Sequence, residues 1–204
     1  MPRRSHLRSL LEALVPADDR ENRHRARILQ LLEASAEPFS RHQYEPGHIT
    51  TSAFVLDPAR RNVLLIFHEK FERWLQPGGH VEEADADALA SARREVHEET
   101  GLSELVPVEP SLLDVDVHAI PARADQPAHE HFDVRFLFRS AELRASAGSD
   151  ARDVRWVPIA QLLAGGDDLS STPAGAPRRL GPSRYPSDES VMRALRKLEH
   201  RSFR

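Results

Sequence analysis

The stretch RREVHEET, residues 93–100, constrains this chain more than any other, because it sets three carboxylates beside two guanidinium groups within about two helical turns. Glu95, Glu98 and Glu99 stand at i, i+3 and i+4, so a helix projects all three within an arc of roughly 100°. Like charges at that spacing oppose helix formation. Either water screens them on a plain exposed face, or a cation sits between them. Arg94 stands four residues before Glu98, where it can hold that carboxylate in orientation. Ser91 and Ala88 lie one and two turns before Glu95 on the same face, and their small side chains leave room for the Gly78-Gly79 loop to approach. Gly101 then suits a left-handed helix end, with Leu102 folding back.

Mg²⁺ takes hard oxygen ligands in octahedral geometry and keeps several waters, so clustered carboxylates plus a substrate phosphate make a suitable site. Binding it would relieve the repulsion among the three glutamates. The rest of the chain narrows the alternatives. With no cysteine there are no disulfides, thiolate nucleophiles or thiolate metal sites, and cytoplasm is the default location. A net charge of −4 gives no general attraction for polymeric nucleic acid, so a polyanionic ligand must be held by local cations. No apolar run approaches the roughly 20 residues that cross a bilayer, so no membrane partner is expected. The N-terminus, basic but without a long apolar core, reads as a helix and not as a signal peptide.

Along the chain, residues 1–40 read as a helical extension. Leu7, Leu10, Leu11 and Leu14 form one stripe, and Ile28, Leu31 and Leu32 form another beyond Pro16. These helices are expected to pack on the domain or on a partner subunit in a homodimer. Residues 41–164 read as the main domain. ITTSAFVL and VLLIF form a hairpin about DPARRN, WLQPGGH is a loop, and Asp85 to Thr100 is a helix burying Leu89, Ala92 and Val96. DVDVHAI and HFDVRFLF pair antiparallel, and DVRWVPI is a further strand. Residues 165–187, rich in Gly, Pro and Ser, read as an irregular loop, and residues 188–204 as a C-terminal helix.

Taken as a unit, Gly78-Gly79-His80-Val81-Glu82, Arg94-Glu95-Val96 and Glu98-Glu99-Thr100-Gly101-Leu102 closely resemble the Nudix box. The family's usual glutamate six positions after the second glycine is Asp85 here, and the spacing from it to Arg94 is one residue longer than the standard form. The resemblance covers about residues 48–162. It implies an α/β/α sandwich around a mixed sheet, to which this chain adds N-terminal helices. It implies Mg²⁺, with Mn²⁺ as a substitute, held by Glu95, Glu98, Glu99 and the backbone carbonyl of Gly78, with Arg94 orienting the carboxylates. AGSDARDVRWVPI resembles the family segment in which an acidic residue on a loop completes the metal site, and Asp150 occupies that place. Glu130 is the competing candidate for general base.

Period-two alternation puts Asp114, Asp116 and His118 on one strand face, and His131, Asp133 and Arg135 on another. In a sandwich covered on both sides such a strip lines a cleft, where Arg135 would neutralise a phosphate and His131 would contact it or a sugar. Arg41, before the first strand, is a second candidate cation. His80 is a further candidate contact, and His97 points away from the carboxylates. The activity this resemblance implies is Mg²⁺-dependent hydrolysis of a diphosphate linkage in a nucleoside diphosphate derivative or a nucleoside triphosphate, with Glu98, Glu99, Arg94 and Asp150 in catalytic roles. The alternative is a non-catalytic regulatory domain that binds a nucleotide. The superfamily's isoprenoid diphosphate isomerases use a cysteine, which this chain lacks. The submotifs of coenzyme A and NADH hydrolases are not apparent, and Val117, His118, Ala119 and Ile120 stand where ADP-ribose or dinucleoside polyphosphate enzymes carry a marker proline or tyrosine. The substrate is therefore left open.

Overall fold

The computed structural model describes residues 3–68, 72–148, 151–164 and 189–200. Two helices, α1 (Arg3–Ala13) and α2 (Asp19–Ala34), come first. Asp18 starts the second by accepting from the Glu21 N–H, an N-cap that satisfies one of the free donors of the first turn. The strands β1 (Gly47–Leu56), β2 (Asn62–His68), β3 (Arg73–Leu75) and β4 (Gly78–His80) follow, then α3 (Ala88–Thr100). After it come β5 (Leu105–Pro107), β6 (Asp114–Ile120), β7 (His129–Ser140), β8 (Ala151–Pro158), α4 (Ile159–Leu163) and α5 (Glu189–His200).

One mixed sheet joins the eight strands in the order β3-β2-β1-β7-β5, with β4 also on β1, β6 on β7 and β8 on β2. β1 and β7 run parallel, and the other pairings are antiparallel. Strand alternation divides the core in two. Ile49, Ala53 and Val55 of β1 and Phe132, Val134 and Phe136 of β7 pack with α1, α2 and α3. Phe54 and Leu56 of β1, Leu137 of β7 and Val63 and Leu65 of β2 pack with Leu162 of α4 and Val191, Ala194, Leu195 and Leu198 of α5. This is the expected α/β/α sandwich with added N-terminal helices, and those helices lie on the domain itself, with Leu7, Leu11 and Ile28 in the same core as the sheet.

Two local expectations change. The helix expected from Asp85 begins at Ala88, because the Asp87 side chain accepts from the Ala90 N–H and caps it there. WLQPGGH, read as a loop, contributes to β3 and β4, since its backbone finds partners on β2 and β1 that no local alternation signals. Of the two C-terminal expectations, residues 165–187 lie outside the described residues, and the helix spans Glu189–His200. Among the described residues no helix is long and apolar enough to cross a membrane.

Candidate active site

Sheet register and helix phase bring the candidate residues together. On β1, Thr51 faces α3 and its Oγ lies 2.9 Å from the Ser91 Oγ, so the small residue on that helix face sits against the sheet as expected. β4 lies along β1, with Thr51 opposite Gly79 and Ser52 opposite Gly78. This brings the glycine pair against the Glu95 and Glu99 side chains of the C-terminal half of α3. A Cβ at Gly79 would stand 2.7 Å from all three atoms of the Glu95 carboxyl group, so only glycine leaves room for that group. The Gly78 N–H donates to Glu99 Oε2 at 2.9 Å, fixing a carboxylate that is only 3% exposed.

Arg94 ties the cluster together. Its Nη1 donates to Glu95 Oε1 and Glu98 Oε2, each at 3.0 Å, and its Nη2 donates to the His80 carbonyl at 2.8 Å. The other edge of the guanidinium meets Asp85 in a two-pronged pair, Nε to Oδ1 and Nη2 to Oδ2, both at 3.0 Å. Asp85 also accepts from the Glu82 N–H. Burial alone would raise the Asp85 carboxyl; the bonds from Arg94 and Glu82 outweigh it and hold the group below its ordinary value. Asp85 therefore fixes the planar fork, and the fork fixes two glutamates. That role is invisible in the spacing, which shows only that Asp85 takes the place of the family's usual glutamate.

The electrostatics point to a missing positive charge. Burial pushes the Glu95 carboxyl up to about 7, with Arg94 pulling the opposite way and the Glu98 and Asp85 charges adding to the rise. A single arginine shared among three carboxylates leaves Glu95 short of a counter-ion. An oxygen-seeking divalent cation fits this donor set, because Glu95, Glu98 and Glu99 converge beside the glycine pair and burial raises the Glu95 carboxyl well above its ordinary value. Glu98 is the exposed member, open to solvent and to a ligand.

The opposite sheet face carries the polar strip in three rows set by register. His118, His131 and His48 form the first, Asp116, Asp133, Thr50 and His80 the second, and Asp114, Arg135, Ser52 and Gly78 the third. Only the first end opens: His118 is exposed and His131 and His80 are half-buried, whereas Asp116, Asp133, Thr50 and Ser52 are buried. Arg135 is corrected accordingly. It is 3% exposed, and its guanidinium is committed to Asp133 at 2.9 Å, Asp114 at 3.3 Å, Asp116 at 3.5 Å and the Ser190 hydroxyl at 3.1 Å. Alternation gave the face correctly, but α5 covers that part of it. Arg193 from the same helix grips Asp114 through two bonds of 2.8 Å, and Lys197 donates to the Leu113 carbonyl at 2.8 Å and pairs with the buried Glu21 of α2.

The remaining candidates separate cleanly. Arg41 is exposed, and its charge helps hold His48 below its ordinary pKa, an effect led by burial. His97 is exposed, with Nδ1 3.2 Å from the Leu102 carbonyl. Glu130 pairs with Arg27 of α2, on the strand face opposite His131. Asp150 lies outside the described residues. Its neighbours are placed beside α3: the Gly148 N–H donates to the Glu99 carbonyl at 3.1 Å, and the Ala151 N–H to the Gly148 carbonyl at 2.9 Å. The residues that sequence reasoning missed are His48 and Asp85 in its actual role. His48 carried a signal, being in phase with Thr50 and Ser52 on the polar face.

A model of the NUDIX domain family matches residues 46–174. The chain belongs to the Nudix family. Among solved structures it is similar to a NUDIX-family hydrolase from Clostridium perfringens, at 22% identity over 78% of this chain and 97% of that one, with a TM-score of 0.50. It is also similar to a MutT protein from Methanosarcina mazei, at 14% identity over 76% and 95% of the two chains and a TM-score of 0.48. A third is an Ap4A hydrolase from C. elegans, at 13% identity over 74% and 94% and a TM-score of 0.44. No curated protein gives a significant match. At 22% identity the first of these shows the fold alone.

Proposed function

We propose that this Nudix chain is a Mg²⁺-dependent hydrolase that cleaves a diphosphate linkage in a nucleoside diphosphate derivative or a nucleoside triphosphate. The observation that carries the reading is the Asp85–Arg94 fork, which holds Glu95 and Glu98 beside the Gly78-Gly79 strand while one arginine shared with two other carboxylates leaves Glu95 short of positive charge. Glu95, Glu98, Glu99 and the Gly78 carbonyl would hold the metal, with Mn²⁺ able to replace Mg²⁺. Bound metal lowers the pKa of a water, offsets phosphate charge and orients in-line attack at phosphorus.

The chain's own groups do the rest. Arg94 keeps Glu95 and Glu98 in one orientation, so no carboxylate has to be ordered when substrate arrives. Glu99, fixed by the Gly78 N–H, keeps the glycine turn seated against the helix. Asp150 is assigned as the base that accepts the proton of the attacking water, because the loop before it rests on the Glu99 carbonyl at the end of α3. Arg41, whose charge is felt at His48, and the half-buried His131 would meet the anionic substrate at the open end of the polar strip. Residues 1–40 are an extension to a hydrolase unit over residues 41–164, and the setting assigned to it is the cytoplasm.

A panel of nucleoside triphosphates and nucleoside diphosphate derivatives, incubated with Mg²⁺ or Mn²⁺ and resolved by product mass, tests the reading and identifies the bond cut. Turnover should vanish in excess chelator. Glu98→Gln should lower kcat more than about a hundredfold, beyond the loss typical of groups that only position a ligand, with unchanged circular dichroism. Full activity in that variant sinks the assignment. Nucleotide binding without turnover across the panel replaces it with a regulatory nucleotide-binding domain.

A further inference from the structure

Three histidines from three strands converge at the open end of the polar strip. His48 of β1, His80 of β4 and His131 of β7 each present a ring nitrogen, and these nitrogens lie within 4.8 Å of one another. The rings are mutually close: centroids stand 5.1 Å apart for His48–His80, 4.9 Å for His48–His131 and 5.3 Å for His80–His131. A second, independent observation concerns His48. It is 1% exposed, its Nδ1 lies 3.0 Å from the Gln43 carbonyl, and its Nε2 is buried without a hydrogen-bond partner. A carbonyl only accepts, so Nδ1 carries the proton and Nε2 presents a bare lone pair. Leaving such an acceptor buried and unsatisfied carries its full desolvation cost.

We propose that His48, His80 and His131 form a second metal site, for one imidazole-seeking divalent ion of the Zn²⁺ or Co²⁺ type, distinct from the carboxylate cluster on α3. The ligand chemistry decides the ion: imidazole suits Zn²⁺, Co²⁺ and Ni²⁺, whereas Mg²⁺ selects oxygen. The Gln43 carbonyl supplies the outer contact that metal-bound histidines usually make, fixing both tautomer and ring orientation. Burial lowers the pKa of His48 and of His131, with neighbouring imidazoles adding to the effect at His131, a direction that favours the unprotonated ring a metal needs. Tetrahedral nitrogen ligands at zinc distances stand roughly 3.4 Å apart, so side-chain rotations of about 1 Å complete the site. Three protein ligands leave a fourth position. His80 and His131 are half-buried, so that position faces the cleft, where water or a substrate phosphate oxygen completes the shell. Because the His80 carbonyl accepts from Arg94, one residue touches both centres: its ring serves the histidine site and its backbone the glutamate cluster.

The inference is independent of the hydrolase reading, and metal binding is its readout. The full-length protein, stripped with chelator and held in excess Mg²⁺ to satisfy the carboxylates, is titrated with Co²⁺. One equivalent should bind and give the intense visible absorption of four-coordinate, nitrogen-ligated cobalt, and Zn²⁺ should displace it. His131→Gln and His80→Gln, both at half-buried positions, should each weaken binding at least about a hundredfold, more than the loss expected from an outer contact. Glu98→Gln should retain the signal. A weak, six-coordinate cobalt spectrum in the unsubstituted protein overturns the site without recourse to any variant. Loss of the signal in Glu98→Gln, or its survival in both histidine variants, overturns it equally.

Discussion

Replacing Glu95 with glutamine should make the metal-free protein more stable at alkaline pH while destroying metal binding. An unfolded glutamate ionises near 4.5, whereas burial pushes Glu95 in the fold up to about 7. Between these values the folded state binds more protons than the unfolded one, so stability falls as pH rises through that window and the loss is complete above it. The interval of 2.5 units (7 minus 4.5) corresponds to about 3 kcal/mol at 1.36 kcal/mol per unit. Glutamine has nearly the same shape, stays neutral at every pH and still offers an oxygen to Arg94. At pH 8 without metal, Glu95→Gln should therefore raise Tm by roughly 6–12 °C for a domain of this size, and at pH 4 the two proteins should melt together. Thermal unfolding followed by circular dichroism across pH 4 to 8, with and without Mg²⁺, reads both arms. Added Mg²⁺ should stabilise the unsubstituted protein at pH 8 and leave the variant unmoved. Equal melting temperatures at pH 8 in chelator would refute the argument that Glu95 lacks a counter-ion.

Other expectations follow from the same geometry. Asp85→Asn removes the charge behind the Arg94 fork and should weaken Mg²⁺ binding about 10- to 100-fold by calorimetry, the range for groups that orient ligands; unchanged affinity removes its positioning role. Arg135→Ala leaves the buried Asp133 without its ionic partner and takes one partner from Asp114 and Asp116, so it should cost about 3–5 kcal/mol in denaturant unfolding, whereas a merely raised KM on a normally stable protein would return Arg135 to the substrate. Of Asp150→Asn and Glu130→Gln, only the first should lose the acidic limb of the pH–rate profile and most of kcat; Glu130→Gln should change little, because that carboxylate pairs with Arg27 on the other face.

The parts of the site that were legible are those fixed by local periodicity. Glu95, Glu98 and Glu99 converge because i, i+3 and i+4 share a helix face, and the Arg94–Glu98 contact is the same spacing met in space. Gly101, expected to end α3 in the left-handed region, does so with φ of 71°. What depended on register was hidden. Whether His48 meets His131 is set by the parallel pairing of β1 with β7, strands more than eighty positions apart in the chain. His80 joins them only because β4 returns to the other edge of β1. Asp85 escaped for a related reason: its partner is reached by the loop before α3 and not by helical spacing. Arg135 shows that alternation gives the strand face but not the cover, which α5 brings from the far end of the chain.

The way α5 is fastened fixes where it sits. Arg193 and Lys197 reach Asp114, the Leu113 and Val115 carbonyls and Glu21, all in the protein interior. Such contacts specify one seat for the helix, and buried pairs are screened by salt far less than exposed ones. A helix that docked on exposed charges would loosen as ionic strength rose, whereas this one should keep its place. Its cationic side chains work as keys cut for acceptors that the sheet and α2 hold in fixed positions.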